Sequence, residues 1–102
     1  MQKIIEKKIE KLRSICSSLN VKKLYVFGSA TTDKFTDNSD IDLLISFSES
    51  LSVKQYTNNY FDFYYQLKEL FHRKIDIITE KNLSNPFLIE SINETKTLIY
   101  ES

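Results

Sequence analysis

The sequence has few of the residues that interrupt or cross-link a chain. Its 102 residues include one glycine, one proline, one cysteine and no tryptophan. A single cysteine excludes an intramolecular disulfide. Because glycine and proline mark turns and linkers, their scarcity leaves little room for long loops. We therefore expect one folded domain over residues 1–102, with no internal boundary.

The formal net charge is zero, since the sequence has 14 Lys and Arg residues and 14 Asp and Glu residues. A neutral chain without a basic cluster argues against a protein that grips long DNA or RNA through its phosphates. Any nucleic-acid-related substrate should therefore be small. No signal peptide, membrane-spanning run or lipidation motif is recognisable, so we expect a cytoplasmic protein with no membrane attachment.

The spacing of apolar residues predicts a mixed α/β fold. Helical spacing predicts helices over residues 2–19 and 53–71, and a shorter helix that begins at Pro86. Short apolar runs predict strands over 21–27, 40–47 and 74–79, and an extended segment over 97–100. Cys16 belongs to the apolar stripe of the first helix, which favours a small buried side chain over a reactive thiol.

Two acidic residues, Asp40 and Asp42, stand at the start of the second predicted strand. Alternate side chains of a strand share one face about 7 Å apart, so both carboxylates can reach one divalent cation. The apolar run over 43–45 predicts a strand buried on both faces, where a carboxylate needs a partner or a metal. No Lys or Arg lies close enough in sequence to be the obvious counter-ion.

Three further positions have two interpretations each. Asp76 alone fits a solvent-facing strand residue, but on an interior strand beside the other two acids it would complete a two-metal phosphoryl-transfer site. Gly28 and Ser29 fit an ordinary turn, or a loop whose backbone N–H groups and hydroxyl contact phosphates. His72, at a predicted helix end, fits a capping or surface residue better than a catalytic base.

The combined motif resembles a known family. Gly28-Ser29, ten intervening residues, Asp40-Ile41-Asp42 and a later Asp76 are similar to the minimal nucleotidyltransferases of the DNA polymerase beta superfamily. The resemblance covers nearly the whole chain. It implies an α/β (α+β) single-domain nucleotidyltransferase fold, with a small mixed sheet flanked by helices.

The resemblance also implies the chemistry of the site. Two Mg²⁺ ions would be held by Asp40, Asp42 and Asp76, and Gly28 and Ser29 would contact the phosphates of ATP. Family members of this size are commonly antitoxins paired with a HEPN-domain ribonuclease toxin, and some adenylylate a tyrosine of that toxin. The 102 residues leave no length for an acceptor-binding domain, so we expect the acceptor to be held by a partner protein or by a second subunit.

The chain departs from the family after Gly28-Ser29. Relatives continue with a small residue and an Arg-Gly pair, whereas residues 30–33 are Ala-Thr-Thr-Asp. Lys34 is the candidate replacement for the missing phosphate contact. If Lys34 does not contact the phosphates, the alternative is an inactive antitoxin that neutralises its partner by binding alone.

A partner surface is predicted on the second long helix. Phe61 and Tyr65 fall outside the apolar stripe of this helix when it is wound at 100° per residue. They either pack under a neighbouring loop or form a surface that binds a toxin or a second copy of the chain.

Overall fold

The computed structural model describes residues 2–102 and shows a four-stranded mixed sheet with helices against both faces. In chain order its helices and strands are α1 (Lys3–Lys7), α2 (Ile9–Ser18), β1 (Val21–Phe27), β2 (Ile41–Phe47), α3 (Val53–Phe71), β3 (Ile75–Thr79), α4 (Pro86–Thr95) and β4 (Thr97–Glu101). Two short 3₁₀ turns cover Gly28–Thr31 and Glu80–Asn82. The predicted mixed sheet flanked by helices is therefore confirmed.

The order of the strands in the sheet is β3-β2-β1-β4. β1 pairs antiparallel with both β2 and β4, whereas β2 and β3 are parallel. A parallel pair needs a long crossover, and α3 supplies it. β3 therefore lies at an edge of the sheet, and the prediction that its isoleucines mark an interior strand was wrong. An apolar run indicates that the faces of a strand are buried. It does not indicate whether both edges of the strand are hydrogen-bonded to neighbouring strands.

The core lies on both faces of the sheet. On one face Leu43 and Ile45 of β2 pack with α1, α2 and α3, in a cluster that includes Cys16. On the other face Leu44 packs with Phe27 of β1 and with Ile92 of α4. This confirms that β2 is buried on both faces. Burial raises the pKa of the Cys16 thiol to about 12, so this cysteine is a core residue.

The first predicted helix is correct in extent but is not continuous. The backbone turns at Lys8, whose φ of −112° and ψ of 13° separate α1 from α2. The Lys8 ammonium donates a hydrogen bond to the carbonyl of Leu70, and the Gln2 N–H donates to the carbonyl of Ala30 at 3.3 Å. The break lets α1 contact the turn after β1, which an uninterrupted apolar period does not reveal.

Helix α3 has the predicted bounds. Ser52 and Gln55 form a capping box at its start, and His72 ends it in the left-handed conformation with a φ of 53°. The prediction that His72 is a capping residue is therefore confirmed. None of the helices in residues 2–102 has the length and apolar character that crossing a bilayer requires.

Candidate active site

Asp42 lies where three strands meet at one end of the sheet. In the strand register it is opposite Phe27 of β1 on one side and Asp76 of β3 on the other. Neighbouring strands are about 4.8 Å apart, so the parallel pairing sets the Asp42 and Asp76 carboxylates side by side on one face. Asp40 immediately precedes β2. The strand pairing thus places Asp76 beside the Asp40-Ile41-Asp42 segment.

The electrostatics of Asp42 reflect this crowding. Burial raises the pKa of its carboxyl from 3.8 to about 6, and the negative charges of Asp76 and then Asp40 add to the rise. A carboxylate that is half-buried and faces two others favours the arrival of a proton or a cation.

Asp40 has a counter-ion that sequence proximity does not reveal. The ammonium of Lys74 is 3.7 Å from a carboxylate oxygen of Asp40. Lys74 precedes β3, and the carbonyl of Lys74 accepts a hydrogen bond from the Ile41 N–H, so the strand pairing places the two side chains together. This contact fits the expectation that no Lys or Arg close in sequence is the counter-ion, since Lys74 comes from a distant part of the chain.

Gly28 lies directly against Asp42. A Cβ at this position would be 2.6 Å from Oδ2 of Asp42, and the φ of +72° is one that residues with a side chain rarely adopt. The Gly28 N–H donates to the hydroxyl of Thr95 at 2.9 Å, so it is already hydrogen-bonded. What Gly28 contributes is therefore close approach between the turn and the carboxylates. Thr95, in α4, gave no signal in the sequence.

Ser29 and Lys34 follow in the segment that leads from β1 to Asp40. Ser29 is partly buried in the 3₁₀ turn, and its carbonyl accepts hydrogen bonds from the N–H and the hydroxyl of Thr32, both at 3.0 Å. Lys34 is exposed, and its N–H donates to the Thr32 hydroxyl at 3.2 Å. Among residues 2–102 no carboxylate forms an ion pair with the Lys34 ammonium.

The rest of this segment is anchored by Arg73. Its guanidinium donates to the carbonyls of Thr36 and Ser39 at 3.2 and 3.1 Å and lies 4.4 Å from the centre of the Phe35 ring. Arg73 therefore positions the residues directly before Asp40. The sequence offered only its place next to β3 as a signal for this role.

The donor set fits a magnesium site in chemistry. It consists of carboxylate oxygens, which Mg²⁺ prefers, and the pKa of Asp42 is raised first by burial and then by the charges of Asp76 and Asp40. Over residues 2–102, however, no three acidic, histidine or cysteine side chains are gathered closely enough to form a preformed metal site. One of the three carboxylates, that of Asp40, is paired with Lys74. The assignment of Asp40, Asp42 and Asp76 to one site stays a prediction.

Comparison with known proteins identifies the domain. Residues 10–102 match the family model described as polymerase beta, nucleotidyltransferase. An inferred protein adenylyltransferase of Methanocaldococcus jannaschii is 37% identical over 82 residues, which cover 78% of this chain and 76% of that protein. A solved structure described as an inferred minimal nucleotidyltransferase aligns with a TM-score of 0.70 at 25% identity, over 91% of this chain and 90% of that one.

Two further solved structures share the fold at lower identity. A toxin–antitoxin complex with AMP-PNP aligns with a TM-score of 0.70 at 16% identity, over 92% of this chain and 73% of that one. A complex of a tri-AMPylated Shewanella oneidensis HEPN toxin with an MNT antitoxin aligns with a TM-score of 0.65 at 13% identity, over 95% and 72%. The family model, which matches residues 10–102, and the 37% identical relative show that the chain belongs to the polymerase beta nucleotidyltransferase family.

Proposed function

We propose that this chain transfers AMP from ATP to a hydroxyl of a partner protein, namely the hydroxyl of a tyrosine. The observation that carries the proposal is the register that sets Asp42 beside Asp76, with Gly28 against Asp42. The named activity of the Methanocaldococcus relative supports the reaction class. The AMP-PNP in one structural neighbour supports ATP as the nucleotide.

The reaction balances without a further reactant. The acceptor oxygen forms a bond to the α-phosphorus of ATP, and the bond between that phosphorus and the bridging oxygen breaks. Pyrophosphate leaves, AMP remains as an ester on the acceptor, and the hydroxyl proton passes to water. The protein must therefore hold a triphosphate and a hydroxyl next to each other and balance the added negative charge.

Each candidate residue has a part in this arrangement. Gly28 leaves room for a phosphate beside the carboxylates, and the hydroxyl of Ser29 and the ammonium of Lys34 are the proposed phosphate contacts. Asp40, Asp42 and Asp76 would hold two Mg²⁺ ions. Bound Mg²⁺ would neutralise the phosphates and lower the pKa of the acceptor hydroxyl.

The partner proposed for this chain is a HEPN-type toxin. The support is a structural neighbour in which an MNT antitoxin is bound to an AMPylated HEPN toxin, a likeness that by itself shows the fold alone. The chain would then act as the antitoxin, and AMP transfer would inactivate the toxin.

A second candidate function is neutralisation of the partner by binding alone. Two observations favour it. The turn after Ser29 has no cationic side chain before Lys34, and Asp40 is paired with Lys74. In this alternative the fold and the partner surface are kept while nucleotide binding is lost.

Calorimetric titration with ATP separates the two candidates. An enzyme should bind ATP in the presence of Mg²⁺ and lose that binding when Mg²⁺ is chelated. Titration of the Asp42→Asn chain is the matched comparison, since it removes one carboxylate and keeps the shape of the side chain. Absence of ATP binding by the unaltered chain with Mg²⁺ would reject the transferase and leave the binding-only antitoxin.

A further inference from the structure

Within residues 2–102, β3 pairs with β2 on one side and with no strand on the other. The Ile41 N–H donates to the carbonyl of Lys74, and the register pairs Ile41 with Ile75. Because hydrogen bonding alternates along a parallel strand, Asp76 and Ile78 direct their backbone groups toward β2. The backbone N–H and C=O groups of residues 77 and 79 therefore point away from the sheet. They form a row of donors and acceptors that another chain can bind.

The two edges of the sheet differ in how they are protected. At β4 the guanidinium of Arg13 donates to the carbonyl of Ile99 at 3.0 Å. Proteins commonly block strand edges with charges or proline, but residues 77–79 of β3 are Ile-Ile-Thr. This stretch of β3, next to the candidate active site, is therefore open to pairing with another chain.

A groove of about 450 Å³ runs along this open edge. Tyr60 and Phe61 of α3 form one wall, Ile77 and Thr79 of β3 form the other, and every lining side chain is uncharged. Phe61 is 51% exposed and packs edge-on against Tyr60, with the ring centres 5.4 Å apart. This exposure rules out the interpretation that Phe61 packs under a loop. The groove is therefore suited to uncharged side chains of an extended segment.

The groove and the candidate active site meet at β3 but lie on opposite faces of the sheet, because successive side chains of a strand alternate between its faces. Ile77, in the groove, directly follows Asp76 along β3. Tyr60, in the groove, lies close enough to Asp76 to interact with its charge. The pKa of Tyr60 is raised first by burial, then by Tyr56, and then by Asp76. A strand paired with the edge of β3 would lie about 4.8 Å from it and alternate its side chains between the two faces, so one side chain can enter the groove while the next lies on the face of Asp76.

We propose that the edge of β3 and this groove bind an extended, uncharged segment of the acceptor protein, which joins the sheet as a fifth strand and brings its hydroxyl to Asp76. This inference rests on the proposed function and adds the place where the acceptor binds. Backbone pairing with Ile77 and Thr79 supplies affinity, and alternate side chains of the segment enter the groove beside Phe61.

The probe is a short, acetylated and amidated peptide of alternating valine and threonine around one tyrosine. Its control is the same peptide with N-methyl groups on alternate backbone nitrogens, which cannot pair with a strand. Hydrogen exchange followed by NMR should show the amides of Ile77 and Thr79 exchanging freely in the unbound chain. The first peptide should slow their exchange about tenfold or more at saturation, and the methylated peptide should not.

Two matched pairs of variants test the contacts. Phe61→Ala should weaken peptide binding by about tenfold, as the loss of a central aromatic contact does, whereas Tyr65→Ala should change it less than about twofold. Tyr65 is 63% exposed on the same helix but lies outside the groove. Thr79→Pro removes an outward N–H at a residue whose φ of −87° is near that of proline, and Thr79→Ala is its control. Only the proline variant should abolish protection at residue 77.

Several outcomes would overturn the docking site. These are peptide binding without protection of Ile77 and Thr79, equal losses in Phe61→Ala and Tyr65→Ala, or no binding at millimolar peptide. Protection that appears without peptide and tracks dimer formation in sedimentation would assign the groove to a second copy of the chain. Failure of the proposed function looks different, because the peptide would then bind at the edge while no protein or peptide acquires AMP.

Discussion

The burial of the Asp42 carboxyl and its repulsion by Asp76 and Asp40 predict a gain of stability when its charge is removed. Its pKa is raised from 3.8 to about 6 by burial and then by Asp76 and Asp40. Between these two pH values the folded chain binds more protons than the unfolded chain, so the free energy of unfolding falls as pH rises. The cost is complete above about pH 6 and absent below about pH 4.

The size of this cost follows from the shift. About two pKa units correspond to at most about 3 kcal/mol, and partial solvent access reduces this to about 1–2 kcal/mol. The Asp42→Asn chain without Mg²⁺ should be more stable than the unaltered chain by this amount at pH 8, and equal to it at pH 4. For a domain of this size the melting temperature at pH 8 should rise by about 5–10 °C.

The assay is urea unfolding of both chains, in chelator, from pH 4 to pH 8. Taking the difference between the chains at each pH cancels the titration of groups that they share. Asp37→Asn is the matched control, since Asp37 lies on an exposed loop, and it should change the free energy of unfolding by less than about 0.5 kcal/mol. A destabilisation by Asp42→Asn that is equal at pH 4 and pH 8 would refute the electrostatic reasoning.

Three further predictions concern the turn after β1 and the core. Gly28→Ala should cost about 1–3 kcal/mol of stability and abolish ATP binding, measured by unfolding and calorimetry, because the new Cβ meets a carboxylate oxygen and φ is positive; ATP affinity equal to that of the unaltered chain would contradict this. Thr32→Arg or Asp33→Gly should tighten ATP binding by about 1 kcal/mol and Lys34→Ala should weaken it; no change in any of the three would mean that this turn points away from the nucleotide. Cys16, which is 0% exposed, should react with thiol reagents only after unfolding, and rapid labelling of the native chain would contradict its burial.

The strongly patterned elements could be predicted from the sequence. The bounds of β1 and α3 coincide with the predicted ones, because the short apolar run of β1 and the long apolar stripe of α3 leave few alternatives. The break at Lys8 and the edge position of β3 could not be predicted. Both depend on which element lies beside which, and apolar spacing carries no such information.

The candidate site shows the same division. Asp40, Asp42 and Asp76 stand out in the sequence because acids interrupt apolar strands, and the register of β2 and β3 brings the latter two side by side. Lys74 and Thr95 do not stand out. Each contacts the site from a distant part of the chain, so only the strand pairing and the packing of α4 reveal them.

The central claim is that Asp40, Asp42 and Asp76 act together in AMP transfer. The most direct test is the rate at which a co-purified HEPN-type partner acquires AMP from Mg²⁺ and ATP, followed by intact-protein mass for the unaltered and Asp76→Asn chains. Asp76 is exposed in β3, so the variant should fold, and its far-UV circular dichroism should match that of the unaltered chain. We predict a loss of transfer of about a hundredfold or more, of the order seen when a group that stabilises the transition state is removed. Transfer by the folded Asp76→Asn chain at an undiminished rate would contradict the claim.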